Sequence, residues 1–213
     1  MKLRVLALAT SVLALGGVAL SGQADLAKLK DPAALTEKAP DTFKANFETS
    51  KGLVVIEAHR DWSPIGADRF YNLVKNGFYD GCRFFRVLEG FMAQVGMNGD
   101  PNVQRIWGGA NIKDDPVKES NKRGFVSFAK TGAPDSRSTQ FFVNFANNNG
   151  LDKQGFSPFG EVTTGMKVVD DLYTGYGRNN VPSQGQISAE GNAYLNREYP
   201  RLDFIKSATI AAD

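Results

Sequence analysis

The segment from Phe84 to Gln94 reads FFRVLEGFMAQ and sets one arginine and one glutamine among large apolar side chains. If its first half is a β-strand, Phe84, Arg86 and Leu88 share one face, because successive side chains of a strand point to opposite sides. Periodicity by itself favours a core strand whose Arg86 points to solvent. The unusual feature is a cation and an amide in such apolar surroundings.

A second segment repeats this association of an amide with aromatic rings. Phe125–Ala129 is apolar, Lys130–Pro134 has the composition of a turn, and Ser138–Val143 reads STQFFV. Gln140 therefore lies directly beside two phenylalanines. The two segments together predict apolar strands that carry a few polar side chains.

The composition indicates a β-rich chain with an aromatic core, since 15 phenylalanines and 22 glycines occur among 213 residues. Helices are predicted only from Ser63-Pro64 to Gly77 and over Thr164–Tyr173. Many short strands leave exposed edges unless their sheet closes. We therefore predict one antiparallel sheet closed into a barrel, with a helix at each end. The predicted strands are Phe43–Phe47, Leu53–Ala58, Arg83–Leu88, Phe91–Val95, Gly124–Ala129, Gln140–Phe145, Phe159–Val162 and Ile205–Ala211.

Two long segments show no sustained periodicity. Gly96–Arg123 is too long for an idle loop, so it is expected to be functional or to cover part of the fold. Gly175–Arg201 is rich in glycine and asparagine and predicts no clear element.

The first 24 residues have the pattern of a secretory signal peptide. Lys2 and Arg4 precede the uncharged run Val5–Leu20, and Gly22-Gln23-Ala24 places small residues where a signal peptidase cleaves. The alternative is a membrane anchor, but about 16 residues are short for a span of roughly 20. We therefore expect an exported protein, periplasmic or extracellular, without stable membrane insertion after cleavage.

Residues 25–42 are polar and read as a linker or a loosely docked arm before a domain at 43–213. Removing residues 1–24 would leave 23 basic and 23 acidic side chains, which argues against nucleic-acid binding. One cysteine, Cys82, excludes an intramolecular disulfide framework. Nothing demands more than a monomer.

The residues do not support covalent or metal catalysis. His59 is the one histidine and adjoins Arg60 at a predicted strand end, so a catalytic triad is unsupported. Asp114-Asp115 lacks further oxygen ligands at a recognised spacing, so solvated loop carboxylates are favoured over a metal site. We expect neither a metal nor a cofactor.

The order of these motifs resembles the cyclophilins, the cyclophilin-type peptidyl-prolyl cis-trans isomerases, from about Phe43 to Ala211. This resemblance implies an eight-stranded antiparallel β-barrel capped by two α-helices. The matching segments are Phe84–Gln94, Gly124–Ala129, Ser138–Phe142, Leu151-Asp152, Phe159–Val162 and Gly165–Asp170.

The resemblance also implies the site. Arg86 corresponds to the catalytic arginine, and Phe91, Met92, Phe142 and Leu151 to the proline pocket. The other implied substrate-binding residues are the polar Gln94 and Gln140 and the backbone at Ala129 and Lys130.

The chain departs from many cyclophilins at two positions. Gly150 stands where many have a tryptophan associated with tight cyclosporin binding, so weak inhibition is expected. The loop Lys153–Pro158 lacks the usual pocket histidine, and Phe156 is the candidate replacement.

The implied function is cis-trans isomerisation of Xaa-Pro bonds in exported proteins. Two alternatives remain: a non-catalytic module that binds proline-containing segments as a scaffold or holdase, and an unrelated secreted ligand-binding β-barrel. The second would require the ordered motifs to be coincidence.

Overall fold

Eight strands and five α-helices form within residues 28–212, the part of the chain that the computed structural model describes. The strands are β1 (Thr42–Thr49), β2 (Gly52–His59), β3 (Arg86–Leu88), β4 (Met92–Val95), β5 (Phe125–Phe128), β6 (Phe141–Asn144), β7 (Pro158–Thr164) and β8 (Ile205–Ile210). The helices are α1 (Pro64–Lys75), α2 (Pro101–Gly108), α3 (Met166–Asp170), α4 (Gln184–Glu190) and α5 (Asn192–Glu198).

The strands form one antiparallel sheet in the order β3-β4-β6-β5-β7-β2-β1-β8. The eight predicted strands and their antiparallel pairing are confirmed. The expectation of a closed barrel is wrong: the curled sheet is open, with β3 and β8 at its edges.

The physical reason is the irregular backbone before β3. We expected a strand from Arg83, but β3 begins at Arg86, and Arg83 makes only an isolated bridge to Phe204. Hydrogen bonds still tie these edges together, including one of 2.9 Å from the Phe84 amide to the Asp203 carbonyl. Phe84 consequently packs into the main core and does not share the face of Arg86, contrary to expectation.

The main core fills the concave side of the sheet with aromatic rings. Phe70 of α1 lies 4.7 Å from Phe159 and 5.6 Å from Phe141, measured between ring centroids. Helix α1 buries Leu73 and Val74 on the same side. This amphipathic helix covers the core, as its sequence pattern predicts.

The sequence predicted two of the five described helices. Helix α2 begins after Asp100, whose side chain accepts the Asn102 amide proton, and it buries Val103 and Trp107. Helices α4 and α5 have seven residues each, too few for a clear periodicity. They are separated by Gly191, which has φ +58°, and a Cβ there would clash with the Gly99 carbonyl oxygen.

The described part of the predicted arm packs against the helices. Leu29 is fully buried, and its carbonyl accepts a 2.7 Å hydrogen bond from the Trp107 indole. Asn72 of α1 donates to the Glu37 carbonyl. The predicted signal peptide lies outside the described residues. Within residues 28–212, no helix is both long and apolar enough to cross a membrane.

Candidate active site

Three adjacent strands bring polar and apolar side chains onto the outer face of the sheet. Arg86 of β3 pairs with Gln94 of β4, and Gln94 pairs in turn with Phe142 of β6. Directly opposed residues of an antiparallel pair point to the same side, so these three side chains form one row. Their neighbours in sequence, such as Phe141, point into the main core.

Hydrogen bonds fix the polar end of this row. The Arg86 Nη1 donates to Gln94 Oε1 over 3.1 Å, and Gln94 Nε2 donates to Gln140 Oε1 over 2.8 Å. Burial, and second the charge of Arg178, lower the pKa of the Arg86 guanidinium. An arginine nevertheless keeps its charge in proteins, so the group remains a fixed cation with several donors.

A small apolar cluster forms the other end of the row. Leu88, Met92 and Phe142 are buried there, separately from the main core. The Phe156 ring meets the Phe142 ring edge-on, with 5.7 Å between centroids. The partly buried members of this cluster are Phe91, Ala129, Leu151 and Phe156.

Arg86 and this apolar cluster together line an open cavity of about 180 Å³. Nine of the ten site residues predicted from the sequence line it, and the tenth, Gln140, is hydrogen-bonded to Gln94 in its lining. Gln184 also lines it and was missed, because α4 lies in a segment without a pattern. The lining residues are Arg86, Phe91, Met92, Gln94, Ala129, Lys130, Phe142, Leu151, Phe156 and Gln184.

A charged network behind the pocket holds Lys130 in the wall. Its ammonium lies 2.8 Å from Asp114 Oδ2. Burial alone would raise the pKa of Asp114, but the hydrogen bonds from Lys130 and the Asp135 amide, with the charges of Lys130 and Arg137, outweigh it and lower that pKa. Asp114 therefore holds Lys130 in place and largely neutralises its charge in the cavity wall.

The expectation that both aspartates are solvated is wrong for Asp115. This residue is 5% exposed and lies 3.0 Å from Arg137, which is 1% exposed. Asp115 also accepts hydrogen bonds from the Ser63 hydroxyl and from the Gly66 amide at the start of α1. Ser63 precedes α1 but its side chain makes no capping bond, and Asp115 performs that role.

The loop after β6 carries Leu151 and Phe156 on a short 3-10 helix, Asn149–Gln154, and the turn that follows. Asp152 anchors it by accepting the Asn121 amide proton over 2.9 Å. Burial acts to raise the pKa of Asp152, but the hydrogen bonds from Ser120 and Asn121 prevail and lower it. The apolar wall is thus attached to a rigid support.

Other reactive side chains lie away from this cavity. His59 stacks on Trp62, with 4.1 Å between ring centroids, and approaches Glu57. Both His59 and Glu57 belong to β2, which is separated from β6 in the sheet by β5 and β7. Cys82 is buried, and burial raises the pKa of its thiol. Among the described residues, no group of three or more His, Cys, Asp or Glu side chains has the arrangement of a metal site.

Comparison with known proteins identifies the family. The family model "Cyclophilin type peptidyl-prolyl cis-trans isomerase/CLD" matches residues 44–190, well over half of the chain. The chain belongs to the cyclophilin-type peptidyl-prolyl cis-trans isomerases. Every residue that lines the cavity of this cyclophilin lies within the matched range.

Similar proteins from other organisms are also named peptidyl-prolyl cis-trans isomerases. This cyclophilin is 38% identical to a peptidyl-prolyl cis-trans isomerase of Acinetobacter baylyi over 148 residues, covering 65% of this chain and 78% of the relative. It is 29% identical to peptidyl-prolyl cis-trans isomerase B of Escherichia coli over 179 residues, covering 78% and 98%.

A solved structure shows the same fold. It is a Cryptosporidium parvum cyclophilin-type isomerase, determined in the presence of the dipeptide Ala-Pro, with a TM-score of 0.59 and 19% identity. The match covers 80% of this chain and 99% of that one. The mainly-β cyclophilin architecture is therefore confirmed independently of close sequence similarity.

Proposed function

We propose that this cyclophilin isomerises Xaa-Pro bonds through the guanidinium of Arg86. The observation that carries the proposal is the position of that guanidinium. It is half-buried at the edge of an apolar cavity and oriented by Gln94. This geometry, together with the family, supports the roles proposed here for the site residues.

The reaction needs a donor and no nucleophile. Rotation about the peptide bond before proline is resisted by about 18–20 kcal/mol, because the nitrogen lone pair is delocalised into the carbonyl. That conjugation is lost in the twisted transition state, and the nitrogen becomes a better hydrogen-bond acceptor. A fixed cationic donor then stabilises the transition state more than either planar ground state.

The apolar cluster would hold the pyrrolidine ring. Phe91, Met92, Phe142 and Leu151 supply the pocket, and Phe156 closes it against Phe142. A ring held in place while the preceding carbonyl turns is sufficient for catalysis, and excluding water strengthens the effect of the arginine.

The polar rim would bind the peptide backbone. The amide of Ala129 already donates to the Gln140 carbonyl over 2.8 Å. The carbonyl of Ala129 is therefore the group we assign to substrate, beside Lys130 in the cavity wall. Gln94 and Gln140 would complete the polar side of the site.

The direct test is the cis-trans exchange rate of a short Xaa-Pro peptide with the folded chain. Acceleration supports catalysis. A folded chain that binds the peptide without accelerating exchange would instead be the non-catalytic proline-binding module.

The proposed substrates are proline-containing segments of exported proteins, in the periplasm or outside the cell, bound by a monomer. The support is the leader pattern of residues 1–24, with Lys2 and Arg4 before an uncharged run. We expect the full chain, expressed in a Gram-negative host, to be recovered outside the cytoplasm with an amino terminus near Asp25. An intact Met1 terminus in the cytoplasmic or membrane fraction would contradict the proposed export.

Cyclosporin sensitivity provides a second check on the site. Gly150 is exposed, and a Cβ built there would have no neighbour within 4 Å, so the position has room for a side chain. We expect the chain to bind cyclosporin weakly and the Gly150→Trp variant to bind it at least about tenfold more tightly, an added contact of about 1.4 kcal/mol.

Inhibition of peptide isomerisation measures both affinities, with Gly109→Trp as control. Gly109 follows α2 and equally has no neighbour within 4 Å of a built Cβ. Tight inhibition of the unmodified chain would show that Gly150 does not set sensitivity.

A further inference from the structure

Gln184 joins the pocket to a part of the chain that the sequence left unexplained. It is the first residue of α4, in the segment Gly175–Arg201, and it lines the cavity. The hydroxyl of Ser183 caps the helix through the Gln186 amide. The main-chain position of Gln184 is thus fixed by α4.

A continuous line of hydrogen bonds connects Gln184 to Arg86. Gln140 Nε2 donates to Gln184 Oε1 over 3.1 Å. Gln140 Oε1 accepts from Gln94, and Gln94 Oε1 accepts from Arg86. Three amides therefore extend from the guanidinium to the rim of the pocket.

The direction of this line follows from the chemistry of its members. A guanidinium only donates, whereas an amide group donates through its nitrogen and accepts through its oxygen. Gln94 must turn its oxygen toward Arg86, which leaves its nitrogen for Gln140. Gln140 must then turn its nitrogen outward, where the oxygen of Gln184 accepts it. Reversing any one amide would place two donors or two acceptors against each other.

We propose that Gln184 is a positioning residue for Arg86. By accepting from Gln140, it favours the amide orientation in which Gln94 presents an oxygen to the guanidinium. This inference rests on the proposed catalytic role of Arg86, and it assigns a function to a helix that the sequence pattern did not reveal.

The competing explanation is direct contact between Gln184 and the bound peptide, since Gln184 lines the cavity. Direct contact would change peptide affinity whether or not Arg86 is present. Positioning would change the turnover rate, and only through Arg86. The effects of a substitution on kcat and on KM, and a double-mutant cycle with Arg86, therefore distinguish the two roles.

The test compares Gln184→Met, which keeps length and helix propensity but removes the acceptor, with Gln184→Glu, which retains an acceptor. The matched control is Gln186→Met, an exposed residue on the same helix. We expect Gln184→Met to lower kcat about twofold to fivefold, as suits one exposed neutral hydrogen bond, with KM nearly unchanged. Gln184→Glu should restore the rate, and Gln186→Met should leave it unaltered.

A spectroscopic readout accompanies the kinetics. The side-chain amide NMR signals of Gln94 and Gln140 should shift in Gln184→Met and return toward their original positions in Gln184→Glu. If Gln184 served only to stabilise α4, the acceptor in Gln184→Glu would not by itself return these signals to their original positions.

The decisive comparison places Gln184→Met in an Arg86→Ala background. There the second substitution should have no further effect on the residual rate. An equal loss in both backgrounds, or no loss in the unmodified background, would overturn the inference. An inactive but folded unmodified chain would instead refute the proposed function, so the two failures are distinguishable.

Discussion

Replacing Arg86 by alanine is expected to lower kcat/KM about 10²-fold to 10³-fold, the usual effect of removing one preorganised donor from an active site. The substitution leaves the apolar cluster of Leu88, Met92 and Phe142 intact, so peptide binding should weaken much less than turnover. Exchange NMR of a short Xaa-Pro peptide measures both quantities on the same sample.

Arg86→Lys separates charge from geometry. Lysine keeps the positive charge but loses the planar fork that reaches Gln94 and the cavity together. We therefore expect a rate between those of the unmodified chain and Arg86→Ala. Equal rates for lysine and arginine would mean that charge alone suffices.

The control for Arg86→Ala is Arg105→Ala on α2, where the arginine is exposed and contacts Asn102. This variant should isomerise at the unmodified rate. Thermal unfolding of Arg86→Ala should stay close to that of the unmodified chain, because the guanidinium is only half-buried. An unchanged rate in a folded Arg86→Ala would remove Arg86 from the mechanism.

The pocket residues on strands could be predicted from the sequence because these strands pair regularly. Arg86, Gln94 and Phe142 occupy consecutive strands of the sheet at one register level. Their motifs and a family resemblance were therefore sufficient to bring them together. The same regularity explains why the number of strands and their antiparallel pairing were predicted correctly.

Features that depend on long-range packing could not be predicted from the sequence. Gln184 lies 44 residues from its partner Gln140, in a helix too short to show a period. The open edge at β3 follows from the irregular backbone before Arg86, where Arg83 makes only an isolated bridge to Phe204, and no local pattern encodes this interruption. Asp115 resembles any loop carboxylate until the fold places Arg137 beside it.

Breaking this buried pair is expected to produce the largest change in stability. Asp115→Ala should lower the free energy of unfolding by about 3–5 kcal/mol, because it leaves the 1% exposed Arg137 without its main counter-charge. It also removes the acceptor for the Gly66 amide at the start of α1. Urea denaturation followed by tryptophan fluorescence measures the change.

The matched control is Asp171→Ala, which breaks the exposed pair with Lys167. This change should cost no more than about 0.5 kcal/mol, since exposed helix pairs contribute little. A loss of similar size in both variants would show that burial does not set the value of the Asp115–Arg137 pair.

The double variant Asp115→Ala with Arg137→Met tests the cause of the loss. If an uncompensated buried charge dominates, removing Arg137 as well should recover part of the stability, and the two effects will not add. Recovery will be incomplete, because Ser63 and the Gly66 amide still lack their acceptor. Strict additivity would instead assign the loss to the missing helix cap. Asp114 connects this pair to the cavity wall, since it lies 3.5 Å from Arg137 and 2.8 Å from Lys130, which lines the cavity.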